Sequence, residues 1–142
     1  MDPAMNTEVE HAPTVRIYDT LNGKKEPLEP IEDDRVKMYV CGVTVYDLTH
    51  IGHARVYIFF DLVDRFLEHL GYDVLHVRNH TDVDDKIIER ANEKGEDPLE
   101  LADRFIDEFD RDMGTLGVQS PDHEPRVSEV VDDVILELSK QS

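Results

Sequence analysis

The stretch from Tyr39 to Arg55, YVCGVTVYDLTHIGHAR, gathers residues able to do chemistry. His50 and His53 stand three residues apart around Ile51 and Gly52. Upstream, the short apolar run VKMYVC ends at Cys41 and Gly42 breaks it. Downstream, an apolar helical pattern opens at about Gly52. The two histidines therefore fall where a loop leaving a parallel strand meets a helix N-terminus, the usual ligand crevice of a doubly wound sheet. Unpaired N–H groups and the helix dipole favour an anion there. Two imidazoles at one helix start can face one ligand. Gly52 removes a Cβ where a flat ring or a phosphate must come close. The chemistry suggested is stabilisation of charge on a phosphate under attack, which is mostly positioning and electrostatics. The spacing alone leaves a second reading open, in which one imidazole caps the helix and the other is a surface residue.

Cys41 holds the chain's one thiol. By residue type it reads as a small buried apolar group at a strand end. A single cysteine excludes an internal disulfide framework and a zinc site of three or four cysteines. It also fits a reducing, cytoplasmic compartment. Thr44 reads as a loop residue and Thr81 as a helix cap. Asp84 and Asp85 suit the first turn of a helix, where acids complement the dipole. Asp103, Asp107, Asp110 and Asp112 read as a solvated helix face.

The elements that must position these groups follow from periodicity. Residues 15–31 predict a small hairpin turning at Asn22-Gly23, a good two-residue turn pair. Pro27 and Pro30 limit its returning arm to an edge strand or loop. Val36 to Cys41 fits a buried strand. A helix follows from about Gly52 to Leu70, its first half apolar nearly all round and so expected to be well buried. Asp61 and Arg65 make an i,i+4 pair on its outer face, and Gly71 stops it. Tyr72 to Arg78 is a second strand, completing a βαβ unit. Thr81 or Asp82 is expected to cap a helix ending at Gly95. Asp97-Pro98 opens another helix, with Ala102, Phe105, Ile106, Phe109 and Met113 on one face. Gly114 to Pro125 reads as loop. Ser128 is expected to cap a last helix carrying Val130, Val131, Val134, Ile135 and Leu138.

The chain has 142 residues and a net charge of −18, with 33 acidic against 15 basic side chains. The length suits one domain or one lobe of a larger protein, with a core that needs no disulfides. No apolar run reaches the ~18 residues of a membrane span, and no signal peptide opens the chain. Residues 1–13 are expected to be a disordered lead or tag, Met1 to Met5 reading as a vector-derived start. Residues 14–142 form the folded portion. The acids are interspersed with periodic apolar residues, which argues against an acidic tail. An acidic, lysine-poor surface suggests adaptation to high salt. It argues against a broad electrostatic grip on nucleic acid.

From Arg16 onward the sequence resembles the N-terminal part of cysteinyl-tRNA synthetase, a class I aminoacyl-tRNA synthetase. The segments that carry the resemblance are RIYDTL, MYVCGVTVYDLTHIGHAR, HLGYDV, VRNHTDVDDKIIERANEKGE and PDHEPR. It implies an α/β fold, the first half of a Rossmann-type catalytic domain with a parallel sheet and flanking helices. It makes His50, Ile51, Gly52 and His53 the ATP-binding signature, with His50 and His53 catalytic. It implies ATP with magnesium, activation of cysteine to the adenylate, and transfer to the terminal adenosine of a tRNA.

By the same resemblance Cys41 ligates a zinc that binds the substrate thiol, a task for which a soft-ligand metal is suited. Gly42, Thr44 and Thr81 then lie near the cysteine substrate. The family's other zinc ligands lie far downstream and have no counterpart here. His11, His69, His76, His80 and His123 match no zinc position of the family, so the isolated chain is expected to hold little or no stable zinc. The family more often has an apolar residue where His80 stands. The second class I signature, Lys-Met-Ser-Lys-Ser, does not occur. The chain therefore reads as a fragment without full activity. Alternatives are a thiol-biosynthesis ligase that joins cysteine to an amino sugar, a noncatalytic nucleotide-binding paralogue, and an unrelated nucleotidyltransferase.

Overall fold

A computed structural model describes residues 15–140. The expected lead over residues 1–13 lies outside the described residues. The order is β1 (Arg16–Asp19), β2 (Lys24–Pro27), β3 (Arg35–Val40), α1 (Ile51–His69), β4 (Asp73–Arg78), α2 (Asp85–Lys94), α3 (Pro98–Thr115) and α4 (Val127–Ser139).

β1 and β2 form the expected antiparallel hairpin, with Asp19 opposite Lys24. The connection is the four-residue loop 20–23, longer than the two-residue turn expected. Asp19 sets that length: its carboxylate accepts the Leu21 N–H at 2.9 Å, and its carbonyl accepts the Gly23 N–H at 2.8 Å. Gly23 supplies the left-handed φ of 65° that turns the chain back. β2 stops at Pro27, which cannot donate to a ladder.

β3 and β4 pair in parallel, from Arg35 opposite Asp73 to Val40 opposite Arg78, with α1 as the crossover. β3 starts and ends one residue earlier than the sequence predicts. Its burial is one-sided, since Val36 and Val40 are buried while Tyr39 is 61% exposed. The segment 122–127 runs beside β4. Parallel bridges join Val77 to His123 and His80 to Arg126. His80 N–H donates to the Pro125 carbonyl at 3.0 Å, and Val127 N–H donates to the His80 carbonyl at 3.1 Å. A third strand path thus flanks β4, while the other edge of β3 carries only the isolated bridge from Arg35 to Glu32 among the described residues.

Two apolar clusters hold these layers together. Val45 packs with Ile87 and Ala91 of α2 and with Leu101, Ala102, Phe105 and Ile106 of α3. Val40, Ala54, Tyr57, Phe109 and Met113 form the second cluster, under α1. The predicted apolar stripe of α3 is therefore its buried face.

The first half of α1 departs from expectation. Val56, Ile58 and Phe59 are 43%, 44% and 58% exposed. Ala54 and Tyr57 alone are buried there, because β4 and α3 cover one side of an all-apolar helix. Its other side opens onto an apolar groove of about 590 Å³, lined by Ile17, Tyr18, Met38, Phe59, Val63 and Phe66. The Asp61–Arg65 pair is present at 2.8 Å, but it does more than decorate an outer face. Asp61 accepts the Gln119 N–H at 2.8 Å and Arg65 donates to the Gly117 carbonyl at 3.0 Å, tying down the loop after α3.

Helix boundaries show where local signals compete. α1 ends at His69, before Gly71 at φ 95°, as predicted. α2 is capped by Asp84, whose carboxylate accepts the Lys86 N–H at 2.9 Å, and not by Thr81 or Asp82. Thr81 is held in the sheet instead, by a parallel bridge to Thr44. α3 starts at the predicted Asp97-Pro98 cap but extends to Thr115, past the expected loop start at Gly114. α4 begins at Val127, so Ser128 lies inside it. Its N–H and hydroxyl both donate to the buried Asp82 carboxylate, a cap supplied from elsewhere in the chain. Val131, Val134 and Ile135 of α4 are exposed. No helix is long and apolar enough to cross a membrane.

Candidate functional site

The histidine pair occupies the N-terminus of α1, at the C-terminal end of the parallel strands. His50 is the N-cap residue, with extended φ and ψ of −128° and 170°. Its Nδ1 accepts the Gly52 N–H at 3.0 Å. His53 closes the box, its Nδ1 accepting the His50 N–H at 3.4 Å. The rings stack with centroids 3.8 Å apart and planes 20° from parallel. The capping reading and the ligand reading of these residues are thus compatible, because each uses a different ring nitrogen.

Backbone N–H groups only donate, so both Nδ1 atoms must present lone pairs. The neutral imidazoles then carry their protons on Nε2. Capping thereby fixes one tautomer for both rings and leaves two Nε2–H donors at the positive end of a 19-residue helix. Donors at a helix N-terminus suit an anion. His53 gives up its proton more readily than free imidazole, first because it is partly buried and then because His50 lies beside it. The close neighbour of Gly52 is the His50 ring, where the sequence predicts a ligand ring or phosphate. A Cβ there would lie 2.8 Å from His50 Cε1 and 2.9 Å from Nδ1, so the glycine makes room for the capping ring itself. Thr49 donates its hydroxyl to Asp112 and so anchors the entry loop to α3. Thr49, His50, Ile51, Ala54, Asp112 and Met113 line a cleft of about 270 Å³.

Cys41 follows the last residue of β3 and is exposed, not buried. The strand ends one residue before it, which puts its thiol outside the ladder. Its carbonyl accepts the Tyr57 hydroxyl from α1 at 3.2 Å. Burial pushes the Tyr57 phenol up to about 12; the Arg78 guanidinium acts against this and Cys41 adds to it. The hydroxyl therefore stays a donor to Cys41 across the ordinary pH range. Gly42 presses on the backbone of Asn79: a Cβ there would sit 1.4 Å from the Asn79 carbonyl oxygen. Thr44 and Thr81, half-buried, bridge the two strand extensions, with Thr81 N–H donating to the Val43 carbonyl at 3.1 Å. The structure thus gathers Cys41, Gly42, Thr44 and Thr81 at the ends of β3 and β4, and His50 and His53 at the start of the helix between them.

Cys41 brings one soft donor to the zinc site that the resemblance implies. Among the described residues no His, Cys, Asp or Glu joins it in a group able to hold an ion. The residues present therefore do not make up that site. Among the described residues the one group of suitable donors is His80, Asp110 and Glu124. Arg78 also meets Glu124, and its guanidinium lies 5.1 Å from the centroid of the Tyr57 ring and 4.9 Å from that of Phe109. Burial and the charge of Glu124 raise Asp110 above the usual carboxylate range. Burial acts the same way on Glu124, but hydrogen bonds from His80 and Arg78 outweigh it and hold Glu124 low. Asp103, Asp107 and Asp110 of α3 are exposed, as a solvated face requires, while Asp112 is half-buried and holds Thr49; Asp103 also pairs with Arg126. A buried carboxylate that sequence reasoning missed is Asp64, 2.9 Å from His76 Nδ1. Its position on the buried side of α1, a helical turn before Leu67, was the available signal.

Comparisons with known proteins give the family and the fold. The family model "tRNA synthetases class I (C) catalytic domain" matches residues 27–141. A cysteine–tRNA ligase of Thermococcus kodakarensis is 57% identical over 121 residues, 85% of this chain and 25% of the relative. One from Geobacter metallireducens is 53% identical over 127 residues, 89% of this chain and 26% of that protein. The cytoplasmic cysteine–tRNA ligase 2 of Arabidopsis thaliana is 53% identical over 126 residues, covering 89% of this chain and 25% of its own length. Among solved structures, Mycobacterium tuberculosis methionyl-tRNA synthetase in complex with methionyl-adenylate aligns with a TM-score of 0.57 at 30% identity, over 65% of this chain and 18% of that one. The chain spans about a quarter of the length of the curated relatives it matches. With a parallel strand–helix–strand unit, two stacked histidines at the start of its crossover helix and a family match over residues 27–141, the chain belongs to the class I (C) tRNA synthetase catalytic domain family.

Proposed function

We propose that this chain is the ATP-binding first half of a cysteine–tRNA ligase site. The observation that carries the proposal is the capping box of α1, which turns His50 and His53 into paired Nε2–H donors at a helix N-terminus. In this reading His50 and His53 receive the phosphates of magnesium-bound ATP, and Gly52 lets the rings sit there. The carboxylate of cysteine attacks the α-phosphorus, and the bond to pyrophosphate breaks. Charge grows on the phosphate oxygens as it does so, and prepositioned donors stabilise that charge without reorganising. A ribose hydroxyl of the terminal adenosine of its tRNA then attacks the cysteinyl carbonyl, forming the ester as the acyl–phosphate bond breaks and AMP leaves.

Cys41, Gly42, Thr44 and Thr81 take the cysteine side. Cys41 is one thiol donor toward a zinc, and among the described residues no second ligand stands beside it, so no step is assigned to that metal here. The 142 residues contain no Lys-Met-Ser-Lys-Ser sequence. The expected behaviour of the chain alone is ATP binding without turnover. A cytoplasmic setting fits, as one relative is named for that compartment.

The test is a titration of the chain with ATP–magnesium, with and without cysteine, read by amide NMR shifts. Shifts centred on Gly52 and His53, weakened at least about tenfold in affinity by the His50→Ala, His53→Ala double substitution, are expected for two charge-assisted contacts. Equal affinity in the wild type and the double variant would overturn the reading.

A further inference from the structure

The two parallel strands do not run in step past the end of the ladder. Val40 pairs with Arg78, and pairing resumes with Thr44 opposite Thr81. The β3 side takes four steps between these points and the β4 side takes three. One extra residue is therefore bulged out at residues 41–43, and a bulge of this kind re-aims the side chains beside it. It also strips a backbone N–H of its ladder partner, and a buried N–H must find another.

Asn79 fills that gap. Its Oδ1 accepts the Gly42 N–H at 2.8 Å and the Tyr39 hydroxyl at 2.9 Å. Because a backbone N–H only donates, the atom facing Gly42 must be the amide oxygen, and Nδ2 then faces Thr81. Nδ2 donates to Thr81 Oγ1 at 3.1 Å. With its oxygen already accepting, the Thr81 hydroxyl keeps its own hydrogen to donate elsewhere. The contact that would place a Gly42 Cβ 1.4 Å from the Asn79 carbonyl oxygen shows the two backbones locked together at the same point.

We propose that Asn79 is a positioning residue that seats the bulge at residues 41–43, so setting the direction of the Cys41 thiol and freeing the Thr81 hydroxyl to donate to the substrate. The proposal rests on the assignment of Cys41 and Thr81 to the cysteine side. Asn79 itself acts through Gly42 and Thr81, not on the reacting atoms.

The chain's one cysteine makes the test direct, since a nitroxide label attached to it reports Cys41 alone. In Asn79→Ala, amide exchange at Gly42 is expected to speed up by at least about tenfold, while the amides of Ile106 and Phe109 in the core keep their rates. The label on Cys41 is expected to become more mobile in the same variant. Asn79→Asp keeps an acceptor oxygen, and the Thr81 hydroxyl can donate to its second oxygen. It is expected to restore Gly42 protection to within about threefold of the wild type. Unchanged Gly42 exchange and label mobility in Asn79→Ala would overturn the proposal. So would an equal acceleration of the core amides, which would mark a general loss of stability. Should Asn79→Ala fail to fold, Asn79→Ser, whose shorter side chain cannot span to Gly42, carries the same expectations. Failure of the cysteine-side assignment is read separately. If cysteine with ATP moves no amide near Cys41 or Thr81, that assignment falls, while the hold of Asn79 on the bulge is still judged by Gly42 exchange.

Discussion

The imidazoles of His50 and His53 show how one proton position links structure to function. Both Nδ1 lone pairs are committed to backbone N–H groups. Protonation of either ring at Nδ1 would break the cap, and burial together with the His50 neighbour already lowers the His53 pKa. The sign of the linkage follows. The native state binds this proton less well than the unfolded chain, whose reference value is 6.5. The contribution of His53 to stability is therefore complete above that value and declines as pH falls below it toward the native pKa. A bound triphosphate reverses the balance, because a nearby anion favours the imidazolium. We expect the His53 Hε1 resonance to titrate below 6.5 in the free chain and to move upward with ATP–magnesium. A free-chain midpoint above 6.5, or no movement with nucleotide, would contradict the Nε2–H assignment.

At the scale of elements, the least expected feature is how the segment 122–127 is fastened beside β4. Arg78 is 3% exposed and Glu124 supplies its charge partner, with Tyr57 and Phe109 against the guanidinium. A buried ion pair adds little net stability, but removing one member leaves an uncompensated charge. Glu124→Gln is therefore expected to destabilise the chain by about 2–4 kcal/mol in urea unfolding, somewhat below a fully buried pair because Glu124 keeps partial solvent access. The low pKa of Glu124 gives the pH dependence its direction. Its contribution is present above the reference value of 4.5 and is lost as pH falls through the native pKa. The variant should accordingly show a flatter acid limb. A loss under ~1 kcal/mol, the usual worth of an exposed pair, would mean that Arg78 is solvated after all.

For the whole molecule, charge outweighs individual ion pairs. The exposed pairs, such as Lys24–Glu26 and Arg104–Glu96, add little to stability and weaken in salt. The net charge of −18 is a self-repulsion spread over the whole surface. Raising ionic strength from 0.1 to 1 M shortens the Debye length from about 10 Å to about 3 Å, screening that repulsion. The melting temperature is expected to rise by at least about 3 °C over that range, the shift that ~1 kcal/mol gives in a domain of this size. A flat or falling Tm would refute the reading of the surface as adapted to salt. The same screening weakens the barrier to association. The open edge of β3 and the apolar groove against α1 are then exposed to pairing between copies.

Features written in consecutive residues were legible from the sequence. The cap at Asp97, the stop at Gly95, the apolar stripe of α3 and the parallel strand–helix–strand unit each depend on neighbours within a turn or two, where propensity and hydrogen bonding act directly. The same locality brings His50 and His53 together at one helix start, a candidate phosphate-side motif whose role the nucleotide titration tests. Other features depended on the register between segments some forty residues apart. The bulge at residues 41–43 exists only because β3 and β4 run out of step, and that is what exposes Cys41 and brings in Asn79. Asp82 looked like a local cap, but folding carries it to Ser128, where a buried carboxylate finds two donors. The exposed side of α1 was hidden for the same reason: an apolar helix face states that it can be buried, and only the packing of the other elements decides which face is.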